Sequence, residues 1–397
     1  MPARPKNLCI LGSTGSIGET TLRVVRRHRD RLNPVVLTAR RNCGKLLVQA
    51  REFHPTACLL VEQGAALEAC GELGERGIEL FAEEAALPLV VQRPEVDAVV
   101  CAISGAVGLR ALVAAILAGK EILFANKEAL VVGGSFVADL VRNTGTRFIP
   151  IDSEHSAIYQ CLLAGRKEEV TSITLTASGG PFLRSSPGEI AAATREQVLA
   201  HPTWNMGPAV TVHSATMMNK ALEVIEAHFL FGLPPDRIRV LIHPQSIIHG
   251  LVEFADGSTF AQLSVPDMAV AVQYALLGPE RPPGVVVPLD LAAVGSLTFE
   301  ELDSARFPLV GLAYEALGAE WWAPIALNAA NEVAVEAFLD GAIPFSAIGE
   351  TVSGCFRRRA EAPGADSLPA EPPVLDAILE ADRMFREFAR RLKFQRG

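Results

Sequence analysis

Two carboxylates, two residues apart, close an apolar run where Phe148-Ile149-Pro150-Ile151 leads into Asp152-Ser153-Glu154-His155. Side chains alternate across an extended backbone, so Asp152 and Glu154 are expected to leave the strand end on one side. Like charges held that close are unfavourable unless a cation, a basic side chain or bulk water offsets them. For an isolated Asp-x-Glu, an exposed acidic turn is the better reading. A third carboxylate and a phosphate-type pocket further along shift that balance. Glu223 follows Asn219 at i, i+4 and Lys220 at i, i+3 on a helical pattern, opposite an apolar stripe of Met218, Leu222, Ile225 and Phe229. That polar arc fits a solvated helix face equally well. Ser178-Gly179-Gly180-Pro181-Phe182 offers a hydroxyl and open backbone N–H groups, as an anion nest or a plain turn. The loop His201-Pro202-Thr203-Trp204-Asn205-Met206-Gly207-Pro208 carries a large aromatic, as a lid over a ligand or as a Trp docked into a core.

A different chemistry opens the chain. Leu8-Cys9-Ile10-Leu11 reads as a buried strand that runs into Gly12-Ser13-Thr14-Gly15-Ser16-Ile17-Gly18, with a helical pattern from Thr20 to Arg29. Strand, three-glycine turn and helix form the first unit of a dinucleotide-binding domain, in which glycines let the backbone approach a pyrophosphate at the helix N-terminus. Alone, the Gly-x-x-Gly-x-x-Gly spacing also fits a glycine-rich turn of no function. The second strand ends at Thr38-Ala39-Arg40-Arg41-Asn42, where an NAD site usually offers an acid to the ribose. Two arginines there favour the 2′-phosphate of NADP. Asn126-Lys127-Glu128 follows another strand end, where ligands bind or a helix simply starts.

The elements that position these residues follow from periodicity. Strand-like runs at Pro34–Ala39, Ala57–Val61, Ala98–Ile103 and Glu121–Ala125 alternate with helical segments, which predicts a parallel sheet. Ser172–Ala177 reads as a strand. Ser214 reads as the N-cap of a helix running to about Phe231, and Arg239–Gln262 as antiparallel strands. Arg281-Pro282-Pro283-Gly284 and the irregular stretch to about Pro308 read as a linker. Leu309–Leu317, Pro324–Leu339, Phe345–Arg357 and Val374–Leu392 then carry helical spacing and read as a small bundle, with a Pro-rich loop at Ala362–Pro373. The polar cluster Leu327-Asn328-Ala329-Ala330-Asn331-Glu332 reads as helix–helix hydrogen bonding.

Length and composition bound the class. A chain of 397 residues with 49% apolar and 20% charged residues is globular, with room for two or three domains. A net charge of −9 argues against nucleic acid or an anionic membrane as partner. Seven scattered cysteines, never spaced Cys-x-x-Cys, fit a reducing compartment. The first strand begins by Asn7, which leaves no room for a signal segment, and no apolar run reaches the ~18 residues of a membrane span. A cytoplasmic protein is expected.

With these residues assembled, the chain resembles the 1-deoxy-D-xylulose 5-phosphate reductoisomerase family nearly from end to end. The resemblance rests on Gly12–Gly18, Ala125–Glu128, Asp152–His155, Ser178–Phe182, His201–Gly207, Ser214–Lys220 with Glu223, His243-Pro244-Gln245-Ser246 and Leu327–Glu332. It implies an α/β protein with a Rossmann-type NADPH-binding domain over residues 1–150 and a central catalytic, metal- and substrate-binding domain over 151–280. A linker over 281–308, a C-terminal helical domain over 309–397 and a homodimer complete the expectation. By the same carry-over, Asp152, Glu154 and Glu223 are ligands of Mg²⁺ or Mn²⁺. Ser178, Ser214, Asn219 and Lys220 match the substrate-phosphate site with His201 beside it, and Ser153 and Lys127 contact the substrate backbone. Trp204 and Met206 lie on a mobile lid, and Met206, Gly207, Asn126 and Glu128 join Gly12–Gly18, Arg40, Arg41 and Asn42 on the cofactor side. Lys127, His201 and Trp204 count with the carboxylates as the catalytic set. Three carboxylates with open water positions suit a hard octahedral ion, which can hold a ketone oxygen and a neighbouring hydroxyl while the carbon skeleton rearranges to an aldehyde that NADPH reduces.

Three positions depart from the family pattern: His213 in place of an Asp, Arg40 in place of a Gly, and Ala269 in place of an Arg. Two rival classes remain. A semialdehyde dehydrogenase needs a nucleophilic Cys in the second domain, where Cys161 is the candidate. A silent NADP-sensing regulator predicts loss of the metal carboxylates, and all three are present.

Overall fold

In the computed structural model, residues 4–204, 206–370 and 374–394 are described; Asn205 of the His201–Pro208 loop and residues 371–373 of the Pro-rich loop lie outside them. The chain forms two compact units that are interleaved in sequence. One comprises Met1–Asn126, Asp139–Ser156 and Asp267–Val287; the other comprises Lys127–Ala138, Ala157–Pro266 and Pro288–Gly397.

The first unit is built on β1 (Lys6–Leu11), whose Leu8, Cys9, Ile10 and Leu11 are fully buried. It is followed by α1 (Ser16–Arg27), β2 (Leu32–Ala39), α2 (Cys43–Phe53), β3 (Ala57–Leu60), α3 (Gln63–Glu75), β4 (Glu79–Ala82) and α4 (Leu87–Val91). Then come β5 (Ala98–Cys101), α5 (Leu109–Leu117), β6 (Glu121–Phe124), α6 (Lys127–Thr144), β7 (Phe148–Pro150) and α7 (Ser153–Cys161). The seven strands pair in the order β4-β3-β2-β1-β5-β6-β7, and every pair is parallel. Near-continuous Val/Leu/Ile runs fit strands covered on both faces. The edge strand β4 escapes the sequence reading because Glu-Leu-Phe-Ala is only half buried and lacks such a run. Strand order reverses at β1, which lies between β2 and β5, so the crevice at its carboxyl end is where this fold class takes ligands.

The chain passes between units within two helices. In α6 the passage follows Gly134, whose φ of 45° and ψ of −132° interrupt the helix, and a Cβ there would sit 3.3 Å from the Phe229 ring. In α7 it falls after Ser156.

The second unit adds β8 (Val170–Ala177), α8 (Pro187–Ala191), α9 (Arg195–Leu199), α10 (Pro208–Ala215), α11 (Met218–Phe231), β9 (Ile238–Ile242), β10 (Ile248–Phe254) and β11 (Thr259–Leu263). The chain then returns to the first unit as α12 (Ala269–Leu277), which packs on α1 and β7 and is tied there by an Arg23–Asp267 ion pair and by Lys6 Nζ donating to the Leu276 carbonyl at 3.1 Å. Beyond it lie α13 (Leu291–Val294), β12 (Glu300–Glu301), α14 (Leu309–Leu317), α15 (Ala323–Leu339), α16 (Ser346–Arg357) and α17 (Leu375–Phe394).

The sheet order is β11-β10-β8-β9-β12. Within Arg239–Gln262 the expected antiparallel pairing holds for β10 with β11; β9 and β10 are not neighbours, because β8 lies between them, antiparallel to β10 and parallel to β9. The helices between β8 and β9 form a crossover, which delivers the next strand in the same direction. The segment read as an irregular stretch contributes β12 to the sheet edge, Glu300 opposite Ile242. Ile173 and Leu175 of β8, Leu222 and Ile225 of α11, Leu312 of α14, Leu327 of α15 and Ile348 of α16 share one buried cluster, so the late helices pack directly on the sheet's crossover helix.

Candidate functional site

In the first unit the glycine turn leaves β1 with Gly12 at φ +80°, where a Cβ would approach the Ala102 carbonyl oxygen to 2.7 Å. Only glycine fits that conformation at that distance. Gly15 is the N-cap of α1 and has no side chain to satisfy the helix N–H groups, while Ser16, Ile17 and Gly18 form the first turn. The helix therefore starts four residues before the expected Thr20. The absence of a capping side chain leaves its N-terminal N–H groups open to an anion. Gly18 packs against the turn, a Cβ lying 2.4 Å from the Gly12 carbonyl oxygen.

Arg40 and Arg41 are exposed at the end of β2, and Arg40 sits 3.5 Å from Glu62. Asn42 caps α2, its Oδ1 accepting from the Lys45 N–H at 3.1 Å. Asn126 is buried at the end of β6 and donates to the Gly105 carbonyl at 3.0 Å. The same unit holds Asp152, Ser153 and Glu154. Here the alternation argument fails: the strand ends at Pro150, and Ser153 and Glu154 already belong to the first turn of α7. Asp152 Oδ1 accepts from the Ser153 N–H at 3.0 Å, and the Ser153 hydroxyl donates to Glu154. His155 is fully buried, its Nδ1 3.7 Å from Asp152. The carboxylates face a common helix start, a place that favours negative charge.

In the second unit three groups converge. His201 Nδ1 accepts from the backbone N–H groups of Thr203 and Trp204, at 3.1 and 2.9 Å. That fixes the proton on Nε2, which lies 3.1 Å from Ser214 Oγ and 3.4 Å from Ser178 Oγ. Burial lowers the His201 pKa from its ordinary value, so the ring is neutral at pH 7. Ser178 leads a turn in which Gly179 and Gly180 have φ of +85° and +67°, and a Cβ on Gly180 would meet the Ser214 carbonyl oxygen at 2.6 Å. Ser214 is not an N-cap. Gly207 and Pro208 start an earlier helix, α10, and Ser214 lies in its last turn before Met217 breaks the path with φ +58°.

One turn into α11 the polar arc faces inward. Glu223 is fully buried: its Oε2 accepts from Lys220 Nζ at 2.5 Å, and its Oε1 from Lys127 Nζ at 3.2 Å and from the Asn219 amide. Lys127 also donates to Asn219 Oδ1 at 2.8 Å, and Lys220 to the Thr176 carbonyl at 2.5 Å. Lys220, Lys127 and Glu128 are all buried, so the solvated-face reading of this arc is wrong. Glu226, fully buried one turn further on, was not singled out by sequence reasoning. Its i, i+3 spacing from Glu223 was the available signal. Trp204 is half-buried, its ring 6.1 Å from His249, and Met206 beside it is half-buried too.

Other quoted motifs hold the scaffold. His243 donates to the Thr298 carbonyl at 2.8 Å and accepts from the Ile247 N–H at 3.2 Å. In the Leu327–Glu332 cluster, Asn331 meets His213 at 3.0 Å, and Glu332 meets Arg386 at 2.7 Å, which are the helix–helix bonds expected of it. Burial, reinforced by Lys127, pushes the His213 pKa down to about 3. Cys161 is buried, with its thiol pushed up to about 11, which removes the nucleophile that a semialdehyde dehydrogenase needs.

An all-parallel sheet with a glycine turn at its switch point, joined in sequence to a second α/β unit, defines a Rossmann-type multidomain protein. The family model described as 1-deoxy-D-xylulose 5-phosphate reductoisomerase matches residues 8–134, and models of that family's C-terminal domains match residues 148–231 and 263–388. The protein named 1-deoxy-D-xylulose 5-phosphate reductoisomerase in Cupriavidus necator is 50% identical over 96% of this chain and 97% of its own length; that of Chlorobium phaeobacteroides is 48% identical over 98% and 99%. A crystal structure of DOX-P reductoisomerase in complex with NADPH, fosmidomycin and magnesium superposes with a TM-score of 0.90 at 38% identity, covering 98% of each chain. The Zymomonas mobilis enzyme in complex with NADPH gives 0.88 at 36% identity over 99% of each. The chain belongs to the 1-deoxy-D-xylulose 5-phosphate reductoisomerase family.

Proposed function

We propose that this chain converts 1-deoxy-D-xylulose 5-phosphate to 2-C-methyl-D-erythritol 4-phosphate with NADPH as reductant. The observation that carries the reading is the buried cluster Glu223, Lys220, Asn219 and Lys127 beside the Ser178, His201 and Ser214 hydrogen-bonding group, in a chain homologous to the family over nearly its full length. In this reading residues 1–150 take up NADPH, with the pyrophosphate on the open N-terminus of α1 and the 2′-phosphate on Arg41 and Arg40, while Asn126, Glu128, Met206 and Gly207 flank the cofactor. Residues 151–280 bind the sugar phosphate, with a linker at 281–308 and a helical domain at 309–397.

The substrate phosphate is assigned to Ser178, Ser214, Asn219 and Lys220. His201, neutral and held with its Nε2 proton toward Ser214, donates a hydrogen bond without adding charge. Lys127 and Ser153 orient the carbon backbone, and Trp204 covers the site against water.

Asp152, Glu154 and Glu223 are assigned to one divalent ion. The donor chemistry suits the ion: all three offer hard carboxylate oxygens, and Glu223, fully buried, now has its charge offset by Lys220 and Lys127, which a bound ion would share. Mg²⁺ or Mn²⁺ held there supplies Lewis-acid polarisation of the ketone and a template for the rearrangement, and NADPH supplies the hydride. The protein is inferred to be a cytoplasmic homodimer. Among the described residues no helix is long and apolar enough to cross a membrane.

The test is loss of NADPH absorbance on adding 1-deoxy-D-xylulose 5-phosphate with Mg²⁺ or Mn²⁺, and with a chelator. Oxidation that requires both sugar phosphate and ion supports the reading. Oxidation unaffected by the chelator removes the ion from it, and none under any condition removes the activity.

A further inference from the structure

The glycine turn is gripped by side chains from a neighbouring helix. Gln49 of α2 is buried, and its amide reads the main chain and side chain of one turn residue together: Nε2 donates to the Ser13 carbonyl at 3.0 Å, while Oε1 accepts from the Ser13 hydroxyl at 2.7 Å. Ser13 is itself fully buried, and its N–H donates to the Thr38 carbonyl at the end of β2 at 2.8 Å. One helical turn earlier on the same face, Lys45 Nζ donates to the Thr14 carbonyl at 3.2 Å and pairs with Glu19 of α1 at 2.7 Å. The N-terminus of this same α2 is the Asn42 cap, directly after Arg40 and Arg41.

We propose that Gln49, assisted by Lys45, is a positioning residue that locks the pyrophosphate turn in register with the arginine turn, so that recognition of the pyrophosphate and of the 2′-phosphate is set by one rigid connection through α2. The inference rests on the NADPH reading above. The physical case is that a buried primary amide matched donor-to-acceptor at both ends holds one orientation, because turning it over leaves two buried groups unpaired. Two anion subsites borne on separate turns gain from simultaneous occupation only when their spacing is fixed. Neither side chain needs to touch the cofactor. Gln49 acts on it through the Ser13 backbone, and Lys45 through the Thr14 carbonyl and Glu19.

The experiment measures the affinity of the full-length protein for NADPH and for NADH by fluorescence titration, with kcat, the sugar-phosphate KM and the melting temperature of each variant. Gln49→Leu keeps the volume and removes both hydrogen bonds. NADPH should bind about tenfold more weakly, the loss of roughly one buried hydrogen-bonding interaction. NADH should weaken by a smaller factor, so the preference between cofactors narrows, while kcat at saturating NADPH and the sugar-phosphate KM stay within about twofold. Lys45→Gln, at a half-exposed site, should move the same ratio in the same direction and gives the answer if Gln49→Leu does not fold. Unchanged NADPH affinity in a folded Gln49→Leu, or equal losses for NADPH and NADH, overturns the proposal. A wild-type chain that binds neither dinucleotide overturns the cofactor reading instead.

Discussion

The two units treat charge in opposite ways. In the first, the groups proposed for the dinucleotide are mostly main-chain, a glycine turn and an uncapped helix N-terminus with two exposed arginines at the rim, while Asp152 and Glu154 at the start of α7 are its side chains proposed for the ion. In the second they are side chains, and several are buried: Glu223 fully, Lys220 and Lys127 nearly so, locked in one hydrogen-bonded set. A main-chain site tolerates most side-chain changes around it. A buried ionic set does not, since removing one member leaves the others uncompensated in low dielectric. The second unit is therefore where single substitutions should act most strongly.

The largest effect is expected at Glu223. Glu223→Gln removes the charge that balances Lys220 and Lys127, so turnover should fall by orders of magnitude and stability by about 3–5 kcal/mol, while NADPH affinity is retained. Steady-state kinetics at limiting and saturating Mn²⁺, with a urea titration, check this. Near-native turnover at limiting metal would remove Glu223 from the ligand set.

Next in size is Arg40→Ala/Arg41→Ala in the first unit. Charge-assisted hydrogen bonds to a 2′-phosphate contribute ~1.5–3 kcal/mol, and here they are exposed, which places the effect at the low end. NADPH should lose most of its advantage while NADH activity stays put. Equal losses with both cofactors would give the arginines a folding role.

Trp204→Ala separates lid from core. A core Trp costs ~3–5 kcal/mol on truncation. The half-buried Trp204, near His249 alone among described aromatic rings, should leave the melting temperature almost unchanged and lower kcat/KM. It should also abolish most of the substrate-induced protection of residues 198–208 from proteolysis.

At neutral pH the smallest effect is expected at His213, where it emerges only as the solution is acidified. Buried His213 stays neutral in the fold down to about 3, whereas the unfolded chain takes up that proton from near 6.5. Its contribution is therefore fully present above 6.5 and is lost as pH falls toward 3, with a slope of up to about 1.4 kcal/mol per pH unit. Urea midpoints of His213→Asn between pH 7 and 4 should show a shallower acid-side decline than the parent protein.

The same contrast explains what could be read from the sequence. The glycine turn, six strands of the parallel sheet and the arginine turn were legible because each is a local backbone requirement written in adjacent residues. The edge strand β4 was not, since its residues are half exposed and follow no clear period. In the second unit the residue types were legible but their setting was not. Asn219, Lys220 and Glu223 carry the spacing of any polar helix face, and only tertiary packing decides that the face turns inward. Ser214 resembled an N-cap because Ser before a helical run usually is one; Gly207-Pro208 had already started a helix, and Met217 in the left-handed region restarts it. The alternation argument for Asp152 and Glu154 failed, since a helix start rather than a strand end sets their backbone. Gln49 gave no signal, because a buried glutamine in an amphipathic helix has no motif.

In the proposed function Asp152 and Glu154 share one divalent ion with Glu223. Calorimetric titration of the chain with Mn²⁺ in the presence of NADPH tests it without reference to turnover. One ion per chain should bind the parent protein, and that binding should be lost in Asp152→Asn, Glu154→Gln and Glu223→Gln alike, with folding of each confirmed by circular dichroism. A folded amide variant at any of the three positions that still binds one ion with parental affinity would contradict it.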